Sequence, residues 1–190
     1  MASIVELCSR ALIQVGQAPI TDLAENNRRA QTCAAEFRDT LDELIVEHPW
    51  NPTQVRTSLV ALAEAPAFDY AYAFELPADP YSLVVYETSL QDGERWSIEG
   101  RTLVADSSAV SILYGGRPAS TQILSPLMAE ALVYRLAKKI AFPLTGKLSV
   151  TEAMQKLYTL ALAAARFADG KESSPRSYRT STLTRVRTSG

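Results

Sequence analysis

Apolar residues recur at helical spacing from the start of the chain. Ile4, Leu7, Cys8, Ala11, Leu12 and Val15 make one stripe, Ser3 and Glu6 have capping-box spacing, and Gly16 offers a left-handed stop. A first helix is expected over about 3–15. After the turn at Pro19 a second stripe, Ala30, Cys33, Ala34, Phe37, Leu41, Leu44 and Ile45, predicts a helix over about 24–47. Pro49 ends it, because the residue before a proline avoids helical backbone. From residue 53 the period changes to two. Tyr70, Tyr72 and Phe74 alternate with small or polar residues, and the run from Tyr81 to Tyr86 is rich in β-formers. Strands are expected near 54–61, 69–75, 82–88, 94–98, 101–105 and 109–114, with hairpin turns at Asp92-Gly93 and Glu99-Gly100. Helical period returns after Ser125-Pro126 in Leu127, Met128, Ala131, Leu132, Leu136 and Ile140, up to Pro143. Ser149 with Glu152 then reads as the capping box of a last helix that carries Met154, Leu157, Tyr158, Ala161, Leu162 and Ala165 inward and ends at Gly170.

This order predicts an α+β fold. The two N-terminal and two C-terminal helices are amphipathic, so each pair needs the other, giving a four-helix layer with an antiparallel β unit inserted between its halves. The expected division is 1–52 with 120–170 as the helical bundle, 53–119 as the β unit, and 171–190 as an extended basic arm.

Charge enters only when the chain is divided. The net charge of the 190 residues is -2, yet residues 171–190 hold five basic side chains against Glu172, so the rest is acidic. Nine of those twenty residues are Ser or Thr and Pro175 blocks a helix, so the segment cannot pack a core alone. From Thr180 the pattern is Thr, Ser, Thr, Leu, Thr, Arg, Val, Arg, Thr, which has high β-propensity. Such a segment can order by adding a strand to a partner's sheet or by lying extended in a groove. Alternation puts Leu183, Arg185 and Arg187 on one side and Thr182, Thr184, Val186 and Thr188 on the other.

Candidate chemistry is sparse. No G-x-G-x-x-G occurs, and Gly146-Lys147 lacks both the upstream glycine and the adjacent Ser or Thr of a phosphate-binding loop. Cys8, Cys33 and the single His48 have no metal-site spacing, so no metal or cofactor is expected. Both cysteines lie on inward stripes, as small buried hydrophobes do. His48 sits between Glu47 and Pro49, where a dipole contact or a hydrogen bond to the last helix carbonyls accounts for it. The chain reads as a non-enzyme. No apolar run approaches the length of a membrane span, and no membrane partner is expected. One oddity is the acidic stripe Glu36, Asp39, Glu43 and Glu47 in the C-terminal half of the second helix, where acids oppose the helix dipole. A solvated face accounts for it; the functional alternative is an outward stripe that faces a basic neighbour or lines a channel for a polyanion.

Four stretches resemble the tail tubular protein A family, the head-to-tail adaptors of short-tailed bacteriophages. Ile4 to Gly16 with Ala18-Pro19-Ile20-Thr21 is similar to that family's opening helix and turn. His48-Pro49-Trp50-Asn51 resembles the hallmark at the end of its long helix, although Pro52 stands where the family usually has an aromatic. Tyr70-Ala71-Tyr72 running into Leu76-Pro77-Ala78-Asp79 looks like its tyrosine strand and corner, and Ile112-Leu113-Tyr114 followed by an Ala/Leu-rich helix pair is similar to its C-terminal half. The resemblance implies a structural virion protein of the bacteriophage tail, made in the host cytoplasm. It implies a connector: a dodecameric ring at the portal vertex, linking the portal protein to the next tail component, a nozzle or tail-tube protein. It also implies that DNA passes through the channel, without sequence-specific binding, during ejection. The portal-binding arm is then expected to use Arg176, Tyr178, Arg179, Leu183, Arg185, Val186 and Arg187, while His48, Pro49, Trp50, Tyr70, Tyr72, Leu76, Pro77 and Asp79 serve as structural motif residues. The rival reading is an oligomeric nucleic-acid-binding module that grips DNA with the basic tail; its mark is DNA affinity that falls steeply with salt.

Overall fold

A computed structural model describes residues 3–172 of the chain. Within them the order is α1 (Ile4–Gln14), α2 (Arg28–Glu47), β1 (Gln54–Ser58), β2 (Tyr72–Glu75), β3 (Ser82–Thr88), β4 (Trp96–Glu99), β5 (Thr102–Ala105), β6 (Ser111–Gly116), α3 (Pro126–Thr145) and α4 (Leu148–Lys171). The fold is mixed α+β, with four helices and two antiparallel three-stranded sheets among the described residues. No helix among the described residues is long and apolar enough to cross a membrane.

Local chemistry sets α1: the Ser3 hydroxyl accepts from the Glu6 N–H, and Gly16 takes a φ of +75° past the helix end. The start of α2 departs from expectation. The helix begins at Arg28, four residues late, because the Glu25 carboxylate collects the N–H groups of Thr21 and Asp22 while Asn27 caps Ala30. A compact turn thus takes the residues expected to be its first turn. Ala34, placed inward by its spacing, is exposed, and Thr40 is buried on that side instead, its hydroxyl bonded back to the Glu36 carbonyl.

Two further boundaries differ. α3 runs through Pro143 for two more residues and closes on Gly146, φ +67°, whose N–H donates to the Phe142 carbonyl. A proline that late removes one hydrogen bond only, and the half-buried Leu144 still packs on the core, so the helix continues. α4 begins at Leu148 without a side-chain cap, so Ser149 and Glu152 do not form the expected box and both are exposed. It also runs past Gly170 to Lys171, the first residue assigned to the extended arm.

α3 is the central helix: α1, α2 and α4 all pack on it, and one apolar cluster joins Leu7, Leu12, Cys33, Leu44, Trp50, Leu132, Leu136, Ile140 and Tyr158. The strands do not form one continuous meander. Their orders are β1-β6-β3 and β2-β5-β4, and the two sheets bury Phe74, Leu103, Ala105, Ile112 and Tyr114 between them. Asp92-Gly93, expected as a hairpin, instead lies on a crossing from β3 in one sheet to β4 in the other. Glu99-Gly100 does turn a tight hairpin, with Glu99 opposite Thr102 and Gly100 at φ +62°.

Candidate functional site

The acidic stripe of α2 meets its counter-charges inside the chain. Arg135 and Lys139, one helical turn apart on α3, face Glu43 and Glu47, one turn apart on α2. Arg135 Nη2 and Lys139 Nζ donate to Glu43 at 3.1 and 2.7 Å, and Lys139 stands 3.8 Å from Glu36. Glu47 is held by Arg135, by the Tyr158 hydroxyl of α4 and by Arg166 at 3.3 Å. Asp42, beside the stripe, forms a two-pronged pair with Arg117 after β6. Asp39 is exposed and has no ion pair among the described residues.

The electrostatics follow from this geometry. Burial opposes ionisation of Glu43, but the hydrogen bonds and charges of Lys139 and Arg135 outweigh it and hold the carboxyl below the usual glutamate range. For Glu47 burial is likewise outweighed, by Tyr158, Arg135 and Arg166. A carboxyl with a depressed folded value stabilises the fold above the ordinary glutamate range, near pH 4.3, and loses that contribution as pH falls through the depressed value. The urea midpoint is therefore expected to fall between pH 6 and pH 3, and to fall less in an E43Q/E47Q double variant. Equal slopes in the two proteins would remove the network from the acid response.

A second cluster joins the helical and β parts. His48 Nε2 lies 3.1 Å from Asp169 Oδ2 of α4, so its partner is a buried carboxylate and not the last carbonyls of α2. Asp169 also accepts the Asn51 N–H at 2.9 Å, and its carbonyl accepts the Asn51 side-chain amide at 2.8 Å. The His48 ring stands edge-on to Trp50, centroids 4.6 Å apart, and the fully buried Trp50 donates its indole N–H to the Leu44 carbonyl at 2.7 Å. From β3, the Tyr86 hydroxyl donates to the carbonyls of Ile45 and His48. Burial, aided by the charge of Asp169, pushes that phenol up to about 12, so it is a donor at neutral pH. His48–Asp169 resembles half of a catalytic triad, but no Ser, Thr or Cys among the described residues is hydrogen-bonded to His48, and the pair serves to fasten α2, α4 and β3.

The remaining motif residues also make structural contacts. Leu76 is buried, and the carbonyls of Leu76 and Pro77 accept from Arg101, so Leu76 to Asp79 form the corner between sheets. Tyr70 lies under the Arg95 guanidinium, and Tyr72 is exposed at the start of β2. Pro49 is exposed beside the buried Trp50. Cys8 and Cys33 are both buried and unoxidised; their mutual contact and burial push the Cys8 thiol up, which keeps it protonated. No group of three or more metal-ligating side chains occurs among the described residues. The arm residues Arg176, Tyr178, Arg179, Leu183, Arg185, Val186 and Arg187 lie outside the described residues.

Sequence reasoning missed Asp169, Arg135, Lys139 and Arg117 as partners. Only the matched four-residue spacing of Arg135 and Lys139 against Glu43 and Glu47 carried a signal.

One apolar face stays exposed among the described residues, covered there only by Lys171 Nζ over the Phe167 ring at 4.2 Å. α4 buries Met154, Tyr158, Leu162 and Ala165 against α3, while Ala163, Ala164, Leu160 and Phe167 fall on the opposite side, the last two 69% and 68% exposed. A scan against protein-family models finds no match, and neither does a search of curated proteins.

Proposed function

We propose that this chain is a structural subunit of a phage virion, a head-to-tail adaptor that assembles as a ring below the portal and links it to the next tail component. In this reading the basic C-terminal segment is an arm toward the portal, and DNA passes through the channel. The observation that carries it is the second, outward apolar face of α4, with Leu160 and Phe167 exposed. A helix apolar on two sides, with only one of them packed against the rest of the described residues, is suited to burial against another subunit. Support also comes from the uses of the distinctive residues. His48, Trp50, Leu76 and Pro77 fasten parts together through the hydrogen bonds already described. The body outside the arm is acidic, which suits a conduit that DNA must leave more than a clamp that holds it.

Electron microscopy of the chain mixed with a short-tailed phage portal tests this directly: the expected result is a ring stacked coaxially on the portal. Absence of any complex at micromolar concentration would overturn it. An L160E/F167E double variant is expected to keep its far-ultraviolet circular dichroism and to lose ring formation, as read by sedimentation of the mixture.

A further inference from the structure

Sheet edges are where backbone donors and acceptors lie open to another chain, and two edges of the β unit are blunted against this. β2 is covered by the segment after β1, where Ala61 bridges Phe74 and the Leu62 N–H donates to the Ala73 carbonyl. β3 is interrupted by two register shifts against β6. β4 has neither device. Its pairs with β5, from Trp96 opposite Ala105 to Glu99 opposite Thr102, are in continuous register, and residues 94–99 hold no proline and no lysine. Among the described residues no strand pairs with its outer edge, and between it and β3 lies a groove of about 290 Å³ lined by Leu83, Val85, Ile98 and Arg101.

The hairpin decides which groups this edge presents. Glu99 and Thr102 close the tight turn, and farther along the ladder the Asp106 N–H donates to the Arg95 carbonyl, so Arg95, Ser97 and Glu99 turn their backbone groups toward β5. Trp96 and Ile98 therefore turn theirs outward. Their side chains share the face of Phe74, Leu103 and Ala105, the sandwich interior, yet remain 42% and 40% exposed. Arg95, Ser97 and Glu99 line the opposite face. Arg95, its side chain 62% exposed, uses Nε on Asp106 and Nη2 on the Asp69 carbonyl, while Glu99 is exposed and has no ion pair among the described residues.

We propose that this edge pairs with the same edge of a second copy of the chain, antiparallel and about a two-fold axis at Ser97, joining the two β2-β5-β4 sheets into one. Backbone and side chains select the same register. Only residues with outward backbone groups can exchange hydrogen bonds, and centring the pair on Ser97 sets Trp96 of each copy opposite Ile98 of the other, each pair exchanging two bonds. On the interior face the indole then lies against the aliphatic side chain that it lacks within its own copy. On the opposite face Arg95 of each copy meets Glu99 of the other, so the charges are complementary twice over by symmetry. Other registers lose this. A slip of one residue opposes outward groups to inward ones, centring on Trp96 sets Ile98 against Glu94, and centring on Ile98 brings Arg95 against Arg101. The dimer is a property of the free chain and stands apart from the adaptor reading, because copies around one cyclic axis meet by unlike surfaces and this contact joins like to like.

The test uses the full chain alone, followed by sedimentation over a range of concentrations, with far-ultraviolet circular dichroism as the check of folding. A concentration-dependent dimer is expected, and amide exchange at Trp96 and Ile98 should slow as the dimer fills. Glu99→Arg sets an arginine against Arg95 of the second copy and should raise the dimer Kd by about tenfold or more. Ser97→Cys reads the axis directly, since the facing Cα atoms of such a pair stand about 4.5 Å apart, within disulfide range. With oxidised glutathione present, the two thiols should join between copies, their two electrons and two protons passing to glutathione. The unchanged chain, whose Cys8 and Cys33 are buried, should stay uncrosslinked. A chain that remains monomeric up to about 1 mM would overturn the proposal. So would a dimer that survives Glu99→Arg while Ser97→Cys stays uncrosslinked, or one that is lost in L160E/F167E and kept in Glu99→Arg, because the contact would then run through α4.

Discussion

Trp50→Ala is expected to cost about 3–5 kcal/mol of folding stability, read as a fall in the urea midpoint with little change in slope. The side chain is fully buried in the cluster that joins α1, α2, α3 and α4. Truncation removes that burial and leaves a cavity that helices fixed by other contacts close only in part. It also strips the donor from the Leu44 carbonyl and the ring that His48 meets edge-on. Trp50→Phe separates these terms, since it keeps most of the apolar volume and loses the indole N–H; a cost of about 1–2 kcal/mol is expected for it. If Trp50→Ala cost under about 1 kcal/mol, the junction would be held by the His48–Asp169–Asn51 hydrogen bonds and not by packing.

The parts of the fold that were legible in the sequence are those fixed by neighbours in the chain. The stripe of α1, its Ser3 cap and Gly16 lie within fourteen residues and agree with one another, and the helix formed where they placed it. The existence of all six strands was legible for the same reason, because period two is a local property. Their pairing was not. Val55 lies opposite Tyr114, and that choice is made by which faces find a common interior, while Asp92-Gly93 has the turn chemistry of a hairpin without the pairing of one. Boundaries failed where a side chain competed with the backbone, as Glu25 does before α2, or where tertiary packing outweighed a breaker, as Leu144 does after Pro143.

The candidate site shows the same division. The row of acids was plain in the sequence, but whether a carboxylate is solvated, channel-facing or paired depends on what stands opposite, and Arg135 lies about ninety residues away in the chain from Glu43 and Glu47. The Glu at each of two turns of α2 and the cation at each of two turns of α3 match only once the helices are set side by side. Asp169 read as part of a helix end; its work is at His48 and Asn51, which no local pattern could show.

That network sets the other large effect expected. Arg135→Met keeps the apolar stem against α3's neighbours but removes the guanidinium that meets Glu43, Glu47 and the Tyr158 hydroxyl. Arg135 is 15% exposed, whereas Glu47 and Glu43 are 31% and 45% exposed, so water takes over part of the stranded charge and the loss falls below that of a fully buried pair. A cost of about 2–3 kcal/mol at pH 7 is expected, smaller than for Trp50→Ala. The discriminating measurement is a double-mutant cycle with Glu47→Gln. In the Met background the uncharged glutamine should recover part of the loss, because it relieves a carboxylate left without its closest cation, giving a coupling of about 1–2 kcal/mol. Arg166 still reaches Glu47 in that background, which keeps the coupling below the whole cost of the single change. Additive costs, with no recovery, would show that Arg135 acts through its packed stem and that the ion pairs along α2 contribute nothing to the fold.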